Sequence, residues 1–319
     1  MLYYLAPMEG ITGYIYRNAY EKFFDNIDKY FTPFIIPNKS TNFKTKELRD
    51  VLPENNKGMN IVPQILTNDS ESFIITSRKL QELGYNEVNL NLGCPSGTVV
   101  SKNRGAGFLA KREELDMFLE EIFKMDDMKI SIKTRIGKEA PEEFYELIKI
   151  YNKYPMEELI IHPRTQKDFY GNTPNLEVFK DALELSTNPV CYNGDIFTVD
   201  DNSKLIKNFK EVKTVMLGRG IIANPGLMNE IKNNTIIDKD VLKEFHDEIL
   251  NGYLELLNDD KNALFKMKEL WSYMVYIFSD SKKYAKKIKK SQKLSDYEEA
   301  VSSLFIEQEI VKGASLFNS

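Results

Sequence analysis

Through roughly its first 230 residues the chain alternates short apolar or β-branched runs with stretches of helical periodicity, and this alternation constrains the fold most. The strand-like runs are Leu2–Ala6, Tyr30–Ile36, Asn60–Leu66, Glu87–Leu92, Lys129–Thr134, Leu159–His162, Pro189–Tyr192 and Thr214–Leu217. Each is short, and all but Asn60–Leu66, which runs into Thr67, stop at a proline, glycine, asparagine or charged residue, as strands do. Between them lie one-faced helical patterns. From Lys111 onward, Leu115, Phe118, Ile122 and Met125 recur at spacings of three and four, and Phe73, Leu80 and Leu83, at spacings of seven and three, turn inward within 70–83. After the second run, Pro37 to Asn42 reads as loop. Strand–helix alternation implies parallel strands with right-handed crossovers. A doubly wound open sheet and a (β/α)8 barrel both satisfy that rule. Eight units in this length match the barrel.

The pattern changes after Asn234. Four helices are expected, over 241–257, 263–278, 281–293 and 297–311, with no convincing strand. The expected organisation is a (β/α)8 TIM barrel over residues 1–235 followed by an all-helical domain over 236–319. No apolar run approaches the roughly 20 residues of a membrane helix, and no secretory signal precedes Pro7. Two cysteines, Cys94 and Cys191, make neither a disulfide framework nor a zinc site by themselves. A cytoplasmic, metal-free protein, monomeric and away from membranes, is the expectation. With 43 basic against 48 acidic residues the net charge is −5, which excludes coating nucleic acid by bulk charge but not a local basic patch.

A barrel carries its site at the C-terminal ends of its strands. There the sequence places Pro7-Met8-Glu9-Gly10, Gln64, Asn91-Leu92-Gly93-Cys94-Pro95, Lys133-Thr134-Arg135, His162-Pro163-Arg164, Asn193-Gly194-Asp195 and Gly218-Arg219-Gly220. Polar, cationic and glycine residues thus gather at one pole. The last two groups stand where this fold commonly binds phosphate, with glycines that admit backbone amides and Arg219 as a bidentate donor. The alternative is two ordinary glycine turns. Lys133 shares a strand face with Ser131, so helices covering the isoleucine face would leave it pointing into the barrel mouth; otherwise it snorkels to solvent. His162 either contacts a ligand or caps its strand. Cys94, between Gly93 and Pro95, sits in a constrained loop. Its thiol, with an ordinary pKa near 8.5, is protonated at neutral pH and suits a proton donor, or it packs as a small apolar residue. Cys191, inside a strand, reads as core.

These segments, in this order, resemble the flavin-dependent tRNA-dihydrouridine synthases, with Asn91-Leu92-Gly93-Cys94-Pro95-Ser96 followed by Gly105-Ala106-Gly107 the most specific part. The resemblance spans the expected barrel and departs from the family pattern at Pro163. It implies reduction of the C5–C6 double bond of a uridine in tRNA, through a bound FMN reduced by NADPH, with Cys94 protonating C5. It also implies that Pro7, Met8, Glu9, Gln64, Lys133 and His162 line the flavin. Asn193, Gly194, Asp195, Gly218 and Arg219 would hold its phosphate, and Asn91, Arg164 and Tyr170 would face the uracil. Tyr14 and Tyr16 are further candidates for stacking on an extruded base. Seven lysines in the twelve residues 282–293 offer a phosphate-binding stripe for tRNA. Two other readings remain open from the residues alone: a flavin barrel acting on a free pyrimidine, and a non-catalytic RNA-binding barrel.

Overall fold

The strand-like runs form a parallel barrel in a computed structural model of the chain, which describes residues 1–37 and 43–313. Apart from Pro37, the loop expected at Pro37–Asn42 lies outside the described residues. The chain divides into two compact units. The first comprises Met1–Pro7, Asp28–Gly194 and Phe209–Met216; the second comprises Met8–Ile27, Asp195–Asn208 and everything from Leu217.

The barrel strands are β1 (Leu2–Leu5), β2 (Lys29–Phe31), β3 (Ile61–Val62), β4 (Gln64–Ile65), β5 (Glu87–Leu92), β6 (Lys129–Gly137), β7 (Leu159–Thr165), β8 (Val190–Tyr192) and β9 (Thr214–Leu217). Their order is β3-β2-β1-β9-β8-β7-β6-β5-β4, with every registered pair parallel. β3 and β4 stand at opposite ends of this order yet are separated only by Pro63. They are one strand of the expected eight, interrupted because proline brings no N–H to the ladder. An isolated parallel bridge between Ile35 and Ile65 completes the ring. The helix Thr45–Val51 follows the second strand. The helices Ser70–Glu82, Arg112–Ile122, Phe144–Tyr151 and Leu176–Leu185 bury their apolar faces as the periodicity requires.

Period two decides what the barrel holds inside. On one side the interior is apolar, with Tyr4, Ala6, Phe31, Val62, Ile160, Cys191 and Met216 clustered and buried. Cys191 is core, and burial pushes its thiol pKa well up. The opposite wall is polar. Glu87, Asn89 and Asn91 alternate with Val88, Leu90 and Leu92 along β5, and the register sets Asn89 beside Ser131 and Asn91 beside Lys133. The expected inward direction of Lys133 follows from this pairing, because Ser131 on the same face bonds inside the barrel to Asn89 (3.0 Å).

At the start of the strands, Lys29 pairs with Glu87 at 2.8 Å. Close by, Tyr4 Oη donates to Glu158 Oε1 at 3.5 Å, while Glu158 Oε2 has no hydrogen-bond partner among the described residues. Burial pushes the Glu158 carboxyl up to about 7, with Lys29 opposing and Glu87 reinforcing the rise. A carboxyl whose folded pKa lies above its unfolded value binds more protons in the native state, so its contribution to stability falls as pH climbs from about 4.5 through about 7. Glu158→Gln should therefore leave the melting temperature nearly unchanged at pH 5 and raise it at pH 8. Equal shifts at the two pH values, by calorimetry, would remove the ionisation of Glu158 as the cause.

The second unit is helical. Lys239–Leu257, Asp260–Met274, Lys282–Lys290 and Leu294–Glu307 replace the four expected helices with small changes at their ends, and Val275–Ile277 continues the second as a 3-10 turn. The helix Tyr14–Phe24 packs here too, through edge contacts of Tyr16, Tyr20, Phe23 and Phe24 with Phe245. Tyr16 is 1% exposed in that cluster, which overturns its candidacy for base stacking. His246 is equally buried, its Nε2 bonded to Tyr297 Oη at 2.6 Å. Tyr284 and Ile288 anchor the lysine helix while Lys282, Lys286, Lys287, Lys289, Lys290 and Lys293 stand exposed. No helix among the described residues is long and apolar enough to cross a membrane.

Candidate active site

The turn after β5 carries Cys94, half-buried, and nearly every polar atom of its backbone is tied down. Asn91 Oδ1 accepts from the amides of Gly93 (3.1 Å) and Cys94 (2.9 Å). The Gly93 carbonyl accepts from Arg135 Nε at 2.9 Å, the Cys94 carbonyl from the Ala106 amide at 3.1 Å, and the Pro95 carbonyl from Gln166 Nε2 at 3.2 Å. Gly105 makes the Ala106 contact possible. Its φ is +54°, and an added Cβ would stand 2.9 Å from the Cys94 carbonyl oxygen. That close approach is the physical reason for a glycine eleven residues beyond the cysteine.

Lys133 lies across from Asn91 on β6. Among the described residues its ammonium makes neither a hydrogen bond nor an ion pair. Burial, reinforced by the charge of Arg135, pulls it down to about 8, while the nearby sulfurs of Cys191 and Cys94 oppose the fall. A desolvated cation without a partner is costly. The position suits an electron-rich or anionic group supplied from outside the chain.

Arg135, next on the same strand face, stands at the polar pole but receives no role from the resemblance. It is 1% exposed, and its Nε, Nη1 and Nη2 each donate to a carbonyl: Gly93, Thr165 at 2.7 Å and Phe169 at 2.8 Å. It therefore couples the cysteine turn to the loop after β7. The spacing Ser131, Lys133, Arg135 was the available signal, since period two puts all three inside.

The loop after β7 is built on Asp168. Its carboxylate accepts from the amide (2.7 Å) and hydroxyl (2.9 Å) of Thr165, and from Asn172. Burial would raise this carboxyl, but those donors and Arg135 hold it below its ordinary value. Phe169 takes φ +47°, an uncommon conformation for an aromatic residue, and it and Tyr170 are both about half exposed. The Tyr170 ring lies 5.4 Å from the Arg135 guanidinium and 6.0 Å from the His162 ring. Arg164 Nη1 stands 3.0 Å from His162 Nε2. Arginine can only donate, so Nε2 is the acceptor and the imidazole proton sits on Nδ1. His162, Arg164 and Tyr170 thus come together, with Arg135 between them and the cysteine turn.

Gln64 and Asn91 are bonded to each other, Asn91 Nδ2 to Gln64 Oε1 at 2.7 Å. Asn193 Nδ2 donates to the Met216 carbonyl at 2.9 Å. Gly194 is required by its own neighbour, because an added Cβ would meet the Tyr192 hydroxyl at 2.0 Å. Pro7 follows β1 by two residues, half-buried. In the second unit, Met8 opens a turn in which its amide donates to Thr12 Oγ1 at 2.7 Å, with Glu9 exposed beside it. Arg219, following Gly218, pairs with Asp195 at 2.7 Å and lies over the Phe197 ring. Asp195 thus orients the arginine. No three His, Cys, Asp or Glu side chains converge as a metal site among the described residues.

The sequence profile described as dihydrouridine synthase matches residues 4–315. The chain belongs to the dihydrouridine synthase family. Among curated relatives, the tRNA-dihydrouridine(16) synthase of Pseudomonas putida is 29% identical over 231 residues, 70% of this chain and 71% of the relative. The tRNA-dihydrouridine synthase B of Pasteurella multocida is 25% identical over 259 residues, 80% of this chain and 76% of the relative. Among solved structures, morphinone reductase superposes with a TM-score of 0.53 at 10% identity, covering 74% of this chain and 87% of that one. The old yellow enzyme from Trypanosoma cruzi gives 0.52 at 8%, covering 74% and 89%. At those identities the likeness is one of barrel fold.

Arg135→Lys keeps the charge but cannot reach all three carbonyls. It should destabilise the protein by about 2–4 kcal/mol, as expected for losing charged hydrogen bonds in a buried site. Hydrogen exchange over 166–172 should quicken more than exchange in the strands. Unaltered exchange there would mean that Arg135 does not hold the loop.

Proposed function

We propose that this member of the dihydrouridine synthase family reduces the C5–C6 double bond of uridines in tRNA, with FMN as bound cofactor and NADPH as reductant. The observation that carries the reading is the Cys94 thiol, on a turn fixed from several sides and within electrostatic reach of a partnerless Lys133. FMN, when bound, supplies the hydride that C6 receives. The residues present fit that group. Lys133 offers an unanswered positive charge to the electron-rich part of the ring system, and the His162 ring is oriented by Arg164.

The protein's own part is positional and acid–base. Cys94 gives its proton to C5 as C6 gains hydride, so one hydride and one proton add across the double bond, and the thiolate left behind regains a proton from solvent. Asn91 has one Nδ2 hydrogen beyond those used in the interior and turns it to the uracil edge. Tyr170 supplies an exposed ring against which an extruded base can stack, which offsets part of the few kcal/mol lost on unstacking. The exposed lysines of Lys282–Lys290 favour a polyanionic substrate over a free pyrimidine.

Cys94→Ala should keep its full flavin content yet lose about 10²–10⁴ in dihydrouridine formation, the scale for a positioned acid. Nucleoside analysis of the tRNA product reads this, and an undiminished yield would remove the thiol from the reaction. Lys133 supplies a second test. Its ammonium loses its charge around pH 8, so the part of flavin binding that Lys133 supplies should be near full at pH 6–7 and weaken from pH 8 upward. In Lys133→Met the weakening should vanish. Flavin released on ultrafiltration at each pH measures it, and a parental profile in the variant would exclude Lys133.

A further inference from the structure

An unbroken line of hydrogen bonds runs up the polar wall of the barrel. Lys29 Nζ meets Glu87 Oε2 at 2.8 Å, and Ser131 Oγ donates to Glu87 Oε1 at 2.8 Å. Asn89 Nδ2 donates to Ser131 Oγ at 3.0 Å, Gln64 Nε2 to Asn89 Oδ1 at 2.8 Å, and Asn91 Nδ2 to Gln64 Oε1 at 2.7 Å. At the top, Asn91 Oδ1 accepts from the backbone amides of Gly93 and Cys94. Gln64, Asn89 and Ser131 are fully buried, and Glu87 and Asn91 are 7% exposed.

We propose that Glu87, Ser131 and Asn89 are positioning residues for the turn that carries Cys94, acting by fixing the direction of this relay. The inference rests on the reading of Cys94 as proton donor. Its physical content is the polarity of the two ends. A carboxylate beside an ammonium can only accept, and a backbone N–H can only donate. Three amides and one hydroxyl lie between, and each could be reversed without changing shape. Only one setting satisfies them all, with every donor directed towards Glu87. Reversing it would turn the amide nitrogen of Asn91 against the amides of Gly93 and Cys94, donor facing donor. The buried ion pair at the barrel floor therefore selects which atom of Asn91 faces the cysteine.

Glu87→Gln tests the claim, because a carboxamide can present its NH2 to Ser131 and send the reversed polarity up the line. In flavin-free full-length protein, alkylation of Cys94 by iodoacetamide at fixed pH should rise roughly five- to tenfold as the turn loosens, the equivalent of about one buried hydrogen bond. Dihydrouridine formation should fall in parallel at unchanged flavin content. Adding Asn89→Asp should restore both to within about twofold, on the same scale, since a carboxylate at 89 accepts from Gln64 and from Ser131 and re-establishes an acceptor-only anchor. A structural role alone predicts the opposite, because it adds a second change to a damaged interior. Parental alkylation in Glu87→Gln, or no recovery in the double variant, overturns the proposal. Should Glu87→Gln not fold, Ser131→Ala cuts the line while keeping the ion pair. It should show the same rise, and parental alkylation there overturns the proposal equally. Alkylation reads the turn whether or not the thiol is the acid, so full product from Cys94→Ala would sink the role of Cys94 without deciding the relay.

Discussion

The two-residue alternation of β5 and β6 is the constraint on which the remainder of the site depends. It sends Glu87, Asn89, Asn91, Ser131, Lys133 and Arg135 inside, where a barrel would ordinarily hold aliphatic side chains. A polar interior is tolerable only when its groups satisfy one another. Most of them do, through the Gln64, Asn89 and Asn91 amides. Lys133 is the exception, and it stands at the open end.

Rigidity at the cysteine follows from the same wall. Asn91 holds the turn by its amides and Arg135 by a carbonyl, from two neighbouring strands. The loop after β7 is attached to the same guanidinium through Phe169. The thiol, the partnerless ammonium and the exposed tyrosine are therefore set by one sheet rather than by separate loops. Placement of this kind is what proton delivery to a particular carbon demands.

Much of this was legible in the chain itself. The strand positions and the polar pole showed because apolar runs ending in Asn, Gly or Arg are local signals. The runs at 87–92 and 214–217 match their strands at both ends. The inward direction of Lys133 could be read from Ser131 two residues earlier. What escaped depended on partners distant in sequence. Arg135 looked like part of a motif, yet its place is decided by carbonyls at 93, 165 and 169. Tyr16 looked like a rim aromatic, but Phe245, more than 200 residues away, buries it. The bond of Asp195 to Arg219 is visible only once the two loops are folded. Asn89 stood beside Asn91 in the polar strand end, but its bonds to Gln64 and Ser131 show only once those neighbours are known.

Pro63 carries a consequence of another kind. A cylinder of strands has no margin, but a residue lacking an N–H at mid-strand thins this one to a hem, where Ile61–Val62 pairs with β2, Gln64–Ile65 with β5, and a single bridge from Ile65 to Ile35 closes the gap. Gln64 sits just past that hem and is also the middle amide of the polar line. Any breathing that begins where the girdle is thinnest will therefore be felt first by the side chain that joins Asn89 to Asn91.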